Sequence, residues 1–172
     1  MVEEIKKILK SLEGTVVAFG FKGEKFSSIL NSNDKIISFD IMDEISKKNK
    51  KESSKSKKID VTDLRKKYKK NKVNAILIDV DVMNRYMIYL IKETIYIGKS
   101  NVYLFGNKDK VDYYLNKYKR YNINFKTNLY NDNMIAYINI SSAKNNVLKD
   151  KFYLLKDKLE LFINMLSDIL TS

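Results

Sequence analysis

The sequence has no cysteine, histidine, tryptophan or proline, and only five glycines in 172 residues. Without Cys and His there is no thiolate or imidazole metal site, no disulfide, no Cys or Ser-His nucleophilic device and no histidine pH switch. Asp, Glu, Lys and Tyr are left as acid–base groups, which excludes most hydrolase chemistry. No stretch approaches the roughly 20 consecutive apolar residues of a membrane span, and the opening MVEEIKKILK lacks the apolar core of a signal peptide. The expectation is therefore a soluble, cytoplasmic protein without a membrane span.

What is present is enough for one ordinary core. At 172 residues, with 44% hydrophobic and 31% charged residues, the chain falls within the size of a single globular domain and outside the composition of disorder. Its net charge of +12 is unevenly placed. From Ser46 to Lys72 there are thirteen Lys or Arg against three acids, so ten of the twelve net positive charges lie in this stretch. The first half, residues 46–58, is almost wholly polar, cannot offset its ordering entropy by burial, and is expected to be a mobile Lys-rich loop. The second half, TDLRKKYKKNK, keeps Leu64 and Tyr68 four apart behind the capping residue Thr62, which predicts a short helix with a basic outer face. Lys66, Lys67, Tyr68, Lys69 and Lys70 are the candidate anion-binding residues, with Tyr68 able to stack on a base of nucleic acid. The plain alternative is a solvated basic segment in a chain rich in Lys, Asn, Ile and Tyr.

Val2, Ile5, Ile8, Leu9 and Leu12 share a helical face that ends before Gly14. TVVAFGF then predicts a strand closed by a glycine turn, KGEKFSSIL a helix, and KIISFDI a second strand carrying Asp40 near its C-terminal end. A brief strand is expected at Ile59–Val61, followed by the basic helix. VNAILIDVDV is apolar enough for a central strand buried on both sides. Met87, Leu90, Ile91 and Ile95 stripe a helix up to Gly98, NVYLFG is a fifth strand, and Asn107 caps a helix bearing Val111, Leu115 and Tyr118. INFKTNLY and NMIAYINIS, joined by Asn131-Asp132, leave no room for a crossover and predict an antiparallel hairpin. The expected fold is α/β: a three-layer, Rossmann-like, doubly wound and mostly parallel sheet over residues 1–145, with a C-terminal antiparallel hairpin and then a long helix over 146–172.

This order of elements, from Val2 to Ser141, resembles that of the class I S-adenosylmethionine-dependent methyltransferases. VVAFGFKGEKF stands where that family has its glycine-rich cofactor loop, with Gly20 at the first glycine and Gly23 nearby but off register. The resemblance implies S-adenosylmethionine as cofactor, Asp40 on its ribose hydroxyls, Asp60 of IDVTDL at the adenine amino group, and Asp79 facing the methyl donor. The departures lie in the loop. Ala18 replaces the acid two residues before the first glycine, and Lys22 and Glu24 replace the second and third glycines, where side chains crowd a close-lying cofactor. Each of the candidate residues has a plain alternative: Gly20 and Gly23 ending a strand, Asp40 and Asp60 solvating loop ends, and Asp79 capping the next helix. The pair Asp79 and Asp81 also has the spacing of a shared cation site, although a helix cap at Asp81 explains that pair more simply, and no metal is expected.

From position 148 the apolar residues Leu148, Phe152, Leu155, Leu159, Phe162, Leu166 and Ile169 are spaced 4, 3, 4, 3, 4, 3, a heptad seam. Packing back on the sheet and forming an interface, as a homodimer or with another partner, both satisfy this pattern. Two functions follow from the whole: a non-catalytic or repurposed methyltransferase-like module for binding and assembly, or an S-adenosylmethionine-dependent methyltransferase acting on a substrate such as RNA. The basic segment is compatible with a nucleic acid or other polyanion as partner in either case.

Overall fold

The structure is a computed structural model that describes residues 1–21, 36–41, 56–59, 64–70, 72–141, 143 and 147–171. Helix α1 (Val2–Ser11) has Glu3 and Glu4 in its first turn and Lys10 in its last, matching the helix dipole, and buries Ile5, Ile8 and Leu9. Strands β1 (Val16–Phe19), β2 (Ile36–Ile41), β3 (Ser56–Ile59), β4 (Val73–Asp79) and β5 (Gly98–Asn107) run parallel. Strands β6 (Asn124–Tyr130) and β7 (Asn133–Asn139) form the expected antiparallel hairpin around Asn131-Asp132, with Asn131 in the left-handed region at φ +55°. The sheet order is β3-β2-β1-β4-β5-β7-β6. The order doubles back between β1 and β4, so their carboxyl ends border the crevice that such a reversal opens.

Alternation along the strands sorts the core into two layers. Val16, Ala18, Ala75, Leu77 and Phe105 meet α1 on one face. Val17, Phe19, Ile76, Ile78, Val102 and Leu104 meet the helices of the other face, α2 (Leu64–Lys67), α4 (Met87–Ile97) and α5 (Lys108–Tyr118). A single turn, α3 (Val80–Met83), leads from β4 through a 3-10 segment into α4. The last helix, α6 (Val147–Thr171), has 25 residues. Helix α4 runs directly into β5 at Gly98, where a Cβ would collide with the Ile140 side chain and the Thr94 carbonyl.

Two boundaries differ from expectation. Residues 56–58 belong to strand β3, whereas the composition placed them in a loop and started the strand at Ile59. The reason is ladder pairing: β3 is the outer strand beside β2, and an outer strand tolerates lysines while its backbone is hydrogen-bonded on one side. The run VNAILIDVDV leaves the sheet at Asp79, which caps the single turn Val80–Met83, whereas its apolar character predicted one continuous strand. The basic helix is the short element expected, over Leu64–Lys67. The helix expected within KGEKFSSIL, the loop positions 46–55 and the cap at Thr62 lie outside the described residues.

The buried hydroxyls of Thr94, Tyr114 and Tyr118 on α4 and α5 are hydrogen-bonded. Thr94 Oγ1 donates to the Ile91 carbonyl at 2.9 Å and lies 2.8 Å from the Tyr118 hydroxyl, which is left to act as donor in that pair. Burial pushes the Tyr118 hydroxyl well above the usual tyrosine range, and burial pushes Tyr114, which donates to the Asn84 carbonyl at 2.9 Å, up to about 12. Tyr118→Phe removes one buried hydrogen bond and creates little space, so it is expected to lower stability by about 1 kcal/mol. In urea denaturation this should appear as a lower midpoint at unchanged slope.

Candidate functional site

Strand β1 ends at Phe19, beside Ile78 of β4, and Gly20 turns the chain out of the sheet at φ +81°, a conformation that favours glycine. A Cβ at Gly20 would lie 3.0 Å from Met83 Cγ and 3.1 Å from Asp79 Cβ and Val82 Cβ. The glycine is thus needed for close approach, and what approaches it is the β4–α3 turn. Asp79 ends β4 nearly buried, and its Oδ1 accepts the backbone N–H groups of Asp81 at 3.0 Å and Val82 at 3.2 Å. The helix cap is therefore Asp79, as the capping alternative for that residue predicts, and not Asp81. Asp81 instead ties β4 to the next unit: Oδ2 accepts the Asn107 N–H at 2.9 Å and Oδ1 the Lys110 ammonium at 2.9 Å. The two carboxylates thus have separate partners in place of a shared cation.

Phe21, the next residue, is 2% exposed and meets Phe105 edge-on at 5.1 Å between centroids. Phe105 is on β5, with β4 lying between β5 and β1. The aromatic pair consequently spans the end of β4 on the α1 side of the sheet. Asp40 lies in β2, opposite Lys58 of β3, with its side chain outside the described atoms. Gly23 and Asp60 lie outside the described residues. The structure therefore brings together Gly20 and Asp79 of the expected set.

In the basic segment, Leu64 is fully buried and Tyr68 packs half-buried on the same core, so its ring turns inward and does not stand free among the lysines. Burial raises the Tyr68 hydroxyl. Lys66, Lys67, Lys69 and Lys70 are exposed. Arg65 anchors the turn through Nε to Glu93 at 2.6 Å, with its guanidinium 4.3 Å from the Tyr96 ring centroid. Charge sign alone did not separate this anchoring arginine from its neighbours.

Helix α6 docks through an ion-pair cluster, with Tyr153 packed on the core beside it and Leu154 half-buried. Lys117 of α5 is 4% exposed and reaches Asp157 at 2.8 Å and Glu160 at 2.9 Å, and Arg120 shares the same Asp157 oxygen at 2.8 Å. Tyr113 donates to Glu160 at 2.5 Å, and Tyr153 lies under the Arg120 guanidinium at 5.2 Å. The Tyr113 hydrogen bond and the Lys117 charge hold the Glu160 carboxyl below its usual range against the opposing effect of burial. For Lys117, burial favours the neutral amine, but hydrogen bonds to Asp157, Glu160 and Tyr113 outweigh it and keep the ammonium above its usual range. On the opposite side of α6, Phe152, Leu155, Leu159, Phe162, Ile163 and Leu166 are 42–68% exposed. Leu148 and Ile169 continue that stripe in sequence, with side chains outside the described atoms.

An open cleft of about 290 Å³, lined by Asn101, Asn124, Phe125, Lys126, Tyr137 and Asn139, sits toward the opposite end of the parallel strands from Gly20. Among the described residues no three Asp or Glu converge as a metal site, and no helix is long and apolar enough to cross a membrane.

The sequence matches no protein-family model and no curated protein. Solved structures do match. A SAM-dependent methyltransferase from Aquifex aeolicus aligns at 14% identity and TM-score 0.52, over 81% of this chain and 89% of that one. A precorrin-6y C5,15-methyltransferase from Geobacter metallireducens aligns at 9% identity and TM-score 0.54, over 80% and 86%. The 16S rRNA N2 G1207 methyltransferase of T. thermophilus, in complex with AdoMet and guanosine, aligns at 10% identity and TM-score 0.53, over 84% of this chain and 40% of that one. The fold is that of the class I S-adenosylmethionine-dependent methyltransferases. Within this methyltransferase fold, Gly20 and Asp79 occupy the carboxyl ends of the two strands flanking the reversal.

The docking cluster of α6 escaped sequence reading because its members, Tyr113, Lys117, Arg120, Asp157 and Glu160, come from helices about 40 residues apart. The 4-3 apolar spacing of α6 marks the other side of the helix. Lys117→Met leaves Asp157 buried with one of its two cationic partners, so stability is expected to fall by about 3 kcal/mol in urea denaturation. Glu160, held below its usual range, contributes stability at pH values above that range and loses it as pH falls through the folded value. Lys117, held above its usual range, contributes below the ordinary lysine value and loses this in strong alkali. Protection factors of the α6 amides, with the intrinsic pH dependence of exchange divided out, should accordingly hold through neutral pH and fall once the pH drops below the ordinary carboxylate range.

Proposed function

We propose that this methyltransferase-fold chain works as a binding and assembly module, with helix α6 as its working surface, and not as a methyl-transfer enzyme. The observation that carries the proposal is the orientation of α6. Asp157 and Glu160 are engaged in docking to Lys117 and Arg120, and a stripe of six large apolar side chains faces outward. A contiguous exposed patch of this kind marks an interaction site.

The strand ends support the same reading. A cofactor loop uses glycine so that the backbone can approach the ligand. Here the space a Cβ would need at Gly20 is taken by Met83, Asp79 and Val82, the Asp79 carboxylate caps α3, and Phe21 is packed on Phe105. The described residues at this end fit side-chain packing better than the methionine portion of S-adenosylmethionine, and Lys22 and Glu24 add side chains where the family has glycine. Isothermal titration with S-adenosylmethionine and S-adenosylhomocysteine tests this directly. No heat and no thermal shift at millimolar ligand is the expected result. Micromolar binding that weakens in Asp40→Ala would overturn it.

A second reading, an active S-adenosylmethionine-dependent methyltransferase, is favoured by one feature: Gly20 at φ +81° adjoins Asp79 at the strand reversal, where the fold places its cofactor. Under that reading Gly20, Asp79 and Asp40 border the donor, Gly23 and Asp60 complete its loops, and RNA is the first acceptor class to test, by analogy with the T. thermophilus neighbour. Methyl transfer would then depend mainly on aligning donor and acceptor, which needs neither His nor Cys.

Either reading accommodates a polyanion on the exposed Lys66, Lys67, Lys69 and Lys70. Binding of single-stranded RNA through these residues should weaken steeply as salt rises, with a shallower slope when all four are changed to Gln. An unchanged slope in fluorescence anisotropy would remove the basic segment as the contact.

A further inference from the structure

We propose that the partner of the α6 seam is a second copy of this chain, joined as an antiparallel, two-fold symmetric helix pair. The inference rests on the assembly reading above and adds to it the identity and orientation of the occupant.

Three observations lead to it. The exposed residues Phe152, Leu155, Leu159, Phe162 and Leu166 keep the 3-4 alternation of a coiled-coil seam, a pattern that meshes best with another helix of the same period. They lie opposite the side that carries Tyr153, Asp157 and Glu160 into the body, so a second helix can lie along the seam with the docking cluster intact. The area is also sufficient. Six side chains of this size, 42–68% exposed, present roughly 600 Å² per copy, and two such faces together bury about 1,200 Å², the lower bound of stable protein interfaces.

Orientation follows from the residues that flank the seam. Lys151, Lys156 and Lys158 flank its first half, and Ile163 its second. In a parallel pair, Lys151 of one helix faces Lys156 of the other, a repulsion near apolar surface. In an antiparallel pair, Leu155 of one copy layers on Leu166 of the other, and Leu159 on Phe162. Lys156 then lies beside Ile163 of the second copy, where its aliphatic stem covers the isoleucine and its ammonium reaches water. Such a contact is self-complementary and closes as a dimer.

Light scattering on the full chain should give twice the 20.2 kDa mass. Leu159→Asp combined with Leu166→Asp changes only exposed side chains, and should return the mass to that of one chain at unchanged circular dichroism. Because the protein has no cysteine, orientation can be read by disulfide trapping. In the antiparallel pair the two copies of position 155 are about 16 Å apart, too far to bridge, whereas 155 and 166 are level. Mixing Leu155→Cys with Leu166→Cys protein should trap a crossed dimer, and neither variant alone should do so. Self-trapping of each single variant would overturn the antiparallel arrangement, and a dimer indifferent to the Asp pair would overturn the seam. A single-chain mass for the unmodified protein overturns the proposal, including the case where that monomer sediments with phosphatidylglycerol vesicles and the seam belongs to a lipid surface. These readouts involve no cofactor, so failure of self-association is separable from failure of the assembly reading, which the S-adenosylmethionine titration addresses.

Discussion

Strand β4 is the constraint on which the rest of the molecule depends. From Val73 to Asp79 it is buried on both faces, with Asn74 the one partly exposed position, and it pairs with β1 on one edge and β5 on the other. A strand with no solvated face must be covered by helices above and below. Helix α1 covers one side, and α4 and α5 cover the other. Because β1 and β5 both run parallel to β4, the chain has to cross over between them, and the strand order reverses at the β1–β4 junction. The polar residue that ends this apolar run, Asp79, therefore arrives at the crevice.

At that crevice the same side chains serve folding. Asp79 supplies the acceptor for two N–H groups of α3, Asp81 ties the β4–α3 turn to Asn107 and Lys110, and Gly20 gives the β4–α3 turn room to close on β1. Carboxylates and glycine at strand ends are what a cofactor site would use, and they are equally what a tight strand-to-helix junction uses. Fold likeness at 9–14% identity carries the architecture across to this chain, while the chemistry depends on which of these uses the side chains are committed to.

Helix α6 follows from a different physical requirement. Lys117 is almost wholly buried, and a buried ammonium is tolerated only with good hydrogen-bonding partners. Asp157 and Glu160 provide them, and Arg120 and Tyr113 complete the cluster. Drawing the acidic side of α6 inward turns its apolar side outward. Together with Tyr153 packed on the core, this cluster sets which side of α6 faces the body, and the seam lies on the other.

Much of the α/β order was legible in the sequence because strand and helix periods are local properties: VVAF, IISFDI, VNAILID and the Asn131-Asp132 hairpin all appear where residue type and spacing placed them. The limits were those of local information. Strand β3 carries lysines and is specified by its pairing with β2, so composition alone read Ser56 to Lys58 as loop. The 4-3 spacing established that α6 has an apolar seam and left open where it points. That direction was decided only in the tertiary structure, because it depends on Lys117 and Arg120 meeting Asp157 across about 40 residues of chain. The same holds at the strand ends, where the presence of Gly20 and Asp79 is a fact of sequence. Their engagement by Met83, Val82 and the α3 backbone exists only once β1 and β4 lie side by side.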